Sequence, residues 1–253
     1  MRRLLLSCVA PLSSPHFSLH PLLDPGELAS EFRTSGRARL SPFLAEADAK
    51  LLLDHLRSRT DWRLVLNARD RVFEIDRPGL AALNQEQRQA MDALINAEAR
   101  DGFQYRFESV RVPDDESERA ASATLLDAFA TFMSSEEVLR LLRLITGKRA
   151  MSFADAQGTC YSPGHFLNRH DDDVDGKQRQ AAYVLGLTES WNADWGGLLL
   201  FHEGENSGVA IVPEFNVLNI FAVPQPHSVT LVAPFAGHAR YSITGWLRAK
   251  GSG

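Results

Sequence analysis

His170, Asp172, His227 and Arg240 are the residues in this chain whose types and spacing could do chemistry. His170 and Asp172 stand two apart, and in an extended segment such residues point to the same side. Both can then reach one ion. His227 is the candidate third ligand, placed just before a strand-like run. Two imidazoles and one carboxylate on one face of an ion leave three adjacent positions open, the donor set that suits non-haem Fe(II). Arg240 opens the run Arg240-Tyr241-Ser242-Ile243-Thr244-Gly245-Trp246. On a strand Arg240, Ser242 and Thr244 share a face. An arginine offers a planar fork of donors that grips a carboxylate bidentately and stays charged. Pointed into a closed sheet, it would be costly without an anion to meet. The Ser242 hydroxyl adds a donor beside it. His165, His202 and His238 are weaker ligand candidates, because none is part of a His-x-Asp pair or has the same relation to Arg240.

The elements that must position these groups change character along the chain. Up to residue 149 the pattern is helical and mixed. Residues 1–35 carry Pro11, Pro15, Pro21 and Pro25 and read as an irregular arm. Ala45 to Arg57 reads as a helix, with Ala49, Leu52, Leu53 and Leu56 on one face. Trp62 to Leu66 and Arg71 to Ile75 read as a hairpin. Asn84 with Gln87 signals a helix start. That helix runs to about Arg100, with Met91, Leu94 and Ile95 inward and Gly102 ending it. Phe103, Tyr105 and Phe107 alternate with Gln104, Arg106 and Glu108, which gives a strand whose aromatic face is expected to pack in the core. The other reading of that stripe is a wall beside the active site. A helix from Ala121 to Met133 follows. Another, capped by Ser134 with Glu137, ends at Gly147 and has Val138, Leu141, Leu142 and Ile145 as its apolar stripe. Asp114–Glu118 and Asp173–Gln180 read as lids.

From residue 150 onward short strand-like runs follow one another: 153–161, 181–188, 198–201, 209–212, 217–221, 228–232 and 240–246. Helices first and many short strands afterwards give an α+β class. A run of strands with so many edges must stack or close, and a two-sheet jelly roll does this. The expected organisation is therefore an arm over 1–35, a support region over 36–149 and a β core over 150–253.

The motifs, taken in order, carry a resemblance. Tyr161-Ser-Pro-Gly-His-Phe-Leu-Asn-Arg-His170-Asp-Asp172 comes first, then Arg179-Gln-Ala-Ala-Tyr183-Val-Leu and Trp195-Gly-Gly-Leu-Leu-Leu-Phe201. Phe215-Asn216, Pro226-His227-Ser-Val and the run from Arg240 to Trp246 complete the set. Together they resemble the prolyl-hydroxylase-like 2-oxoglutarate/Fe(II) dioxygenases, in particular the branch that hydroxylates a proline of a small-subunit ribosomal protein. The resemblance covers about the last hundred residues. It implies a double-stranded β-helix core with flanking helices, a cupin-like jelly roll. It implies Fe(II) held by His170, Asp172 and His227, and 2-oxoglutarate as co-substrate with its distal carboxylate on Arg240. It also implies O2 as oxidant, with ascorbate as an accessory. Tyr161 and Tyr183 match tyrosines that line the co-substrate pocket, although Tyr183 also reads as a core tyrosine. Gly186 stands where relatives carry a bulkier side chain, and a wider pocket is the expectation. The ribosomal branch adds a second, silent barrel; here a single catalytic barrel is expected.

The implied reaction is hydroxylation of a C–H bond, on a prolyl residue of a protein, with the translation machinery as the suggested target, and with release of succinate and carbon dioxide. The alternatives are the same chemistry on a free amino acid or small metabolite, a catalytically idle metal-binding jelly roll that acts as sensor or scaffold, and a zinc hydrolase. Bulk properties bound the rest. The chain has 253 residues, 44% of them hydrophobic, enough for a sizeable core. Its net charge of -5 gives no global pull toward nucleic acid or anionic lipid. Two cysteines, Cys8 and Cys160, cannot form a disulfide framework and suggest a cytoplasmic protein. The start, with Leu4, Leu5 and Leu6 before Pro11, imitates a signal peptide but is too short an apolar run to be expected to act as one. No stretch approaches the ~20 apolar residues of a membrane span.

Overall fold

The computed structural model describes residues 17–68 and 71–250. Cys8, Pro11, Pro15 and the signal-like start lie outside the described residues. The first half of the chain builds α1 (Pro25–Ser35), β1 (Arg37–Leu40), α2 (Glu46–Ser58), β2 (Arg63–Ala68), β3 (Arg71–Asp76), α3 (Arg77–Ala82), α4 (Gln85–Asp101) and β4 (Tyr105–Arg111). Three helices follow: α5 (Glu116–Ser122), α6 (Leu125–Met133) and α7 (Glu136–Thr146). The remaining strands are β5 (Phe153–Ala154), β6 (Gln157–Tyr161), β7 (Phe166–His170), β8 (Arg179–Gly186), β9 (Leu199–His202), β10 (Gly208–Ile211), β11 (Val217–Ala222), β12 (His227–Val229) and β13 (Arg240–Arg248).

All strand pairings among the described residues are antiparallel, in the order β1-β11-β8-β13-β6-β4-β7-β12-β9-β10. The sheet curls until its inner face meets itself. Ala182 and Val184 of β8 and Phe221 of β11 pack against Leu199 and Phe201 of β9. Near the turn of the curl Tyr161, Phe107, Leu167 and Val229 meet across the lumen. This is the α+β jelly-roll architecture read from the sequence.

The helices cover the outer face. Leu28 and Phe32 of α1, Leu52, Leu53 and Leu56 of α2, Phe129 of α6 and Leu142 of α7 share one core with Tyr183, Leu185, Leu218, Ile220, Ile243 and Leu247 from β8, β11 and β13. A smaller core places Ile95 of α4 against Leu64 and Leu66 of β2 and Phe166 of β7. No helix among the described residues is long and apolar enough to cross a membrane.

Several local expectations change. Residues 25–35, read as irregular, form α1. Asp24 accepts from the Gly26 and Glu27 amides, Pro25 sits at the first turn and Gly36 ends the helix at φ 71. The helix expected over 121–133 is two helices. Ala123 turns left-handed at φ 49, and Thr124 caps the second helix with a reciprocal Asp127. Ser135 rather than Ser134 caps α7. The Asn84–Gln87 capping box is formed, but Leu94 on α4 is exposed. Asp114–Glu118 is tied down: Asp115 caps α5 and Asp114 pairs with Arg248 at 3.0 Å. Gly186 does not widen the lumen. A Cβ there would stand 2.1 Å from the Glu214 carbonyl oxygen, so the glycine admits the backbone rather than a ligand.

Candidate metal centre and the buried arginine

His170 is the last residue of β7 and His227 the first of β12, and the two are register partners. Their rings are 4.1 Å apart between centroids. The strand ends at His170, so Asp172 is not aligned by the two-residue repeat of an extended chain. It adopts φ 65, a left-handed turn that brings its carboxylate back over the histidines. Asp172 Oδ1 lies 3.6 Å from His170 Nε2, and Oδ2 lies 3.4 Å from His227 Nε2. Facial ligands on an ion with bonds of about 2.1 Å stand about 3 Å apart, so the donor set fits one ion with a small contraction. Among the described residues these three are the one group of His, Cys, Asp or Glu side chains converging in this way.

The hydrogen bonds of the two histidines suit them to hold a metal ion. His170 Nδ1 donates to the Asn168 carbonyl at 2.9 Å, and His227 Nδ1 donates to the Gln225 carbonyl at 2.8 Å. With Nδ1 donating away from the cluster, Nε2 of each ring is the nitrogen turned toward the Asp172 carboxylate. Burial, and then the neighbouring His170, push the His227 imidazole down to about 4. It is neutral near pH 7, as a ligand must be.

Arg240 occupies the other part of the lumen. It is 4% exposed, and its Nη1 is buried with no hydrogen-bond partner. Its guanidinium lies 5.3 Å from the Tyr161 ring centroid, opposite Tyr161 in register. Burial lowers its pKa, and Tyr161 is the one group that opposes the shift. A buried guanidinium is costly without a partner, so this one could receive an anion. Gly197, at φ 62, brings Trp191 close behind it: a Cβ there would meet Trp191 at 3.3 Å and Arg240 Cδ at 3.7 Å. Ser242 is fully buried on the same face, and its Oγ lies 2.8 Å from Thr159 Oγ1.

Arg240, Tyr161 and Ser242 thus come together, and Thr159 joins them. Tyr183 does not. It is the register partner of Gly245, on the opposite face of β13 from Arg240, Ser242 and Thr244. Its hydroxyl donates to the Asp155 carbonyl at 2.7 Å, and its ring belongs to the helix-covered core. The pocket role that the motif suggests is therefore corrected to a core tyrosine.

The other histidines stand apart. His165 is buried outside the lumen and accepts from the Ser162 amide at Nδ1. His202 pairs with the Ser228 hydroxyl at 3.0 Å. His238 packs edge-on to Trp191 and Trp195.

The aromatic stripe is a wall rather than core. Phe103 is 50% exposed and its ring centroid lies 5.7 Å from that of His170. From it a chain of rings runs through Tyr105 and Phe107 to Tyr161, which stacks on Phe107 at 5.2 Å. Phe103 also borders a groove of about 630 Å3 on the outer face of β7, β12 and β9, lined by Ala99, Asn168, His202, Thr230 and Leu231. That groove does not include the three converging side chains.

Comparison with known proteins agrees with this geometry. Residues 156–248 match the family model described as the 2OG-Fe(II) oxygenase superfamily. No curated protein matches the chain in sequence. A prolyl-4-hydroxylase from Pseudomonas putida superposes with a TM-score of 0.58 at 20% identity, over 90% of this chain and 100% of that one. A Trichoplax adhaerens prolyl hydroxylase, solved with a hypoxia inducible factor oxygen degradation domain peptide fragment, gives 0.58 at 18% identity, over 89% of each chain. The non-haem α-ketoglutarate dependent epimerase SnoN from nogalamycin biosynthesis gives 0.53 at 12% identity, over 88% of this chain and 83% of that one. At these identities the likeness establishes the fold, which serves more than one reaction. The chain resembles the prolyl-hydroxylase-like 2-oxoglutarate/Fe(II) dioxygenases, and the family match supports dioxygenase chemistry with Fe(II), 2-oxoglutarate and O2.

Proposed function

We propose that this protein is an Fe(II)- and 2-oxoglutarate-dependent dioxygenase that hydroxylates a prolyl residue of a polypeptide. The observation that carries the reading is the pairing, inside one lumen, of a convergent His170–Asp172–His227 set with an unpartnered buried Arg240. His170, Asp172 and His227 would hold the iron. Arg240 would receive the distal carboxylate of 2-oxoglutarate through charge-assisted donors. Tyr161 closes one side of that carboxylate site, and the Thr159–Ser242 hydroxyl pair supplies further donors on the same face. Bound iron, with 2-oxoglutarate and O2, would supply the oxidising power that inserts oxygen into a C–H bond as succinate and carbon dioxide leave. Ascorbate would be an accessory reductant.

The protein's own contribution is position and exclusion of water. The ring chain from Phe103 to Tyr161 walls one side of the lumen with apolar surface. Phe103, half exposed beside His170, presents a flat apolar face to an incoming saturated ring. A prolyl ring suits such a face, and two of the fold neighbours are prolyl hydroxylases, one solved with a peptide. A component of the translation machinery is the target class that the motif resemblance suggests. Buried Cys160, its thiol pushed up to about 12 by burial, is inert and compatible with a reducing cytoplasm.

The test is succinate formation by anaerobically prepared protein given Fe(II), 2-oxoglutarate and O2, with and without proline-containing peptides or free proline. Succinate that vanishes in His170→Ala is expected, as is a peptide gaining one oxygen atom. Succinate coupled only to free proline would overturn the polypeptide reading. Iron binding without succinate under any of these conditions would overturn the enzyme itself.

A further inference from the structure

Arg179 is a residue of no assigned role that touches the candidate metal ligand directly. It opens β8, seven positions after Asp172. Its Nη1 donates to the Asp172 carbonyl oxygen at 2.9 Å and lies 3.9 Å from Asp172 Oδ1. Its guanidinium carbon stands 3.6 Å from the Trp246 ring centroid, close enough for a strong cation–π stack. Its Nε is buried without a partner.

These contacts bear on a residue that needs holding. A non-glycine residue at φ 65 is uncommon, and such a conformation persists where the surroundings over-determine it. Asp172 is followed by a loop with two more left-handed residues, Gly176 at φ 77 and Gln178 at φ 50. That loop is fastened at its far end, where the Ala249 amide donates to the Gln178 carbonyl and Arg248 Nε to the Lys177 carbonyl, both at 3.0 Å. Nearer Asp172, the Gln225 amide donates to the Asp171 carbonyl at 3.3 Å and the Asp173 amide to Asp171 Oδ1 at 3.1 Å, while Arg179 holds the Asp172 carbonyl itself. Trp246 fixes the plane of the guanidinium, and the guanidinium fixes the peptide from which the Asp172 carboxylate projects.

We infer that Arg179 is the positioning residue for Asp172: clamped on Trp246, it holds the left-handed turn that aims the carboxylate at the two histidines. The inference rests on the reading of Asp172 as a metal ligand. It makes Arg179 a partner of the ligand's backbone and not of the metal, and it assigns Trp246 the part of a platform.

Titration of the metal-free protein with Co(II), read by its visible absorption, and with Mn(II), read by calorimetry, tests this without turnover. Removing a group that orients a ligand costs about 10–100-fold in metal affinity. Arg179→Ala is expected to weaken both ions by that factor and to alter the Co(II) spectrum. Its unfolding midpoint with chelator present should stay near that of the unaltered protein. Unchanged affinity and an unchanged Co(II) spectrum in Arg179→Ala would overturn the assignment. Should that variant not fold, Arg179→Lys decides. It keeps a charge and a donor but cannot stack flat on Trp246, and native affinity with a native spectrum would equally overturn the assignment. Absence of metal binding by the unaltered protein is a different result, because it removes the metal centre itself.

Discussion

The two faces of β4 and its neighbours treat charge in opposite ways. On the outer face Glu108 is buried but meets Arg77 through two contacts, Nε–Oε1 at 2.8 Å and Nη2–Oε2 at 3.2 Å. Beside it Arg106 pairs with Asp92 of α4 at 2.6 Å. On the inner face Arg240 has a buried Nη1 with no hydrogen-bond partner, and the cation nearest the Asp172 carboxylate, Arg179, stands 3.9 Å from Oδ1. Each of these outer cations meets a carboxylate, although Arg106 Nε is buried without a hydrogen-bond partner, whereas Arg240 meets no carboxylate among the described residues. The contrast therefore lies between outer guanidiniums paired with carboxylates, which serve the fold, and the inner Arg240, which would serve a ligand under the proposed function.

The strongest way to break this comparison is to remove the inner charge. Arg240→Ala should raise the KM for 2-oxoglutarate about ten- to a hundredfold, the loss expected for a charge-assisted contact of about 1.5–3 kcal/mol. Metal affinity should be retained, because Arg240 makes no contact with the triad. The unfolding temperature should hold or rise, since an uncompensated buried charge is removed. A large loss of stability with unchanged 2-oxoglutarate affinity would mean that Arg240 is scaffold, and the distinction between the faces would fall.

Much of the inner face was legible in the sequence because its signals are local or ordered along the chain. The His-x-Asp pair, the later histidine and the arginine opening a β run needed no pairing information. The same holds for α2, where Ala49, Leu52, Leu53 and Leu56 repeat at helical spacing and are all buried. What could not be read depends on register. Thr159 joins Ser242 only because β6 pairs with β13, and Arg179 reaches Trp246 only because β8 does. Tyr183 lies among Ala182, Val184 and Leu185, all apolar, so a strand buried on both faces gives no hint of which way it points. The turn at Asp172 was hidden for another reason: a left-handed aspartate leaves no mark in the pattern of residue types, and the His-x-Asp spacing reads as extended chain. Pro25 could have been read as a helix start, since proline suits the first turn, but four prolines in one arm obscured it.

The outer face can be tested by its own loss. Glu108→Ala strands Arg77, whose side chain is 42% exposed and can turn to water. The cost should therefore be nearer 1–2 kcal/mol than the 3–5 kcal/mol of a fully buried broken pair. At about 2–4 °C per kcal/mol for a chain of this size, the melting temperature should fall by a few degrees. The KM for 2-oxoglutarate and the metal affinity should not move. A shift in either at constant stability would show that the outer pair reaches through the sheet, and the two faces could no longer be argued separately.

The finest division runs between two tyrosines. Tyr161 and Tyr183 both match pocket tyrosines of the resembled family, yet one faces Arg240 and the other donates to the Asp155 carbonyl behind the sheet. Tyr183→Phe keeps the ring against Gly245 and removes one hydrogen bond, for a loss of about 0.5–1.5 kcal/mol. Denaturation should register that loss, while a 2-oxoglutarate titration should give the unaltered affinity. The same change at Tyr161 should act the other way if its hydroxyl serves the carboxylate site, weakening 2-oxoglutarate with a smaller effect on unfolding. A Tyr183→Phe protein of native stability and weakened co-substrate binding would place that hydroxyl in the lumen and reverse the register argument on which its assignment to the core depends.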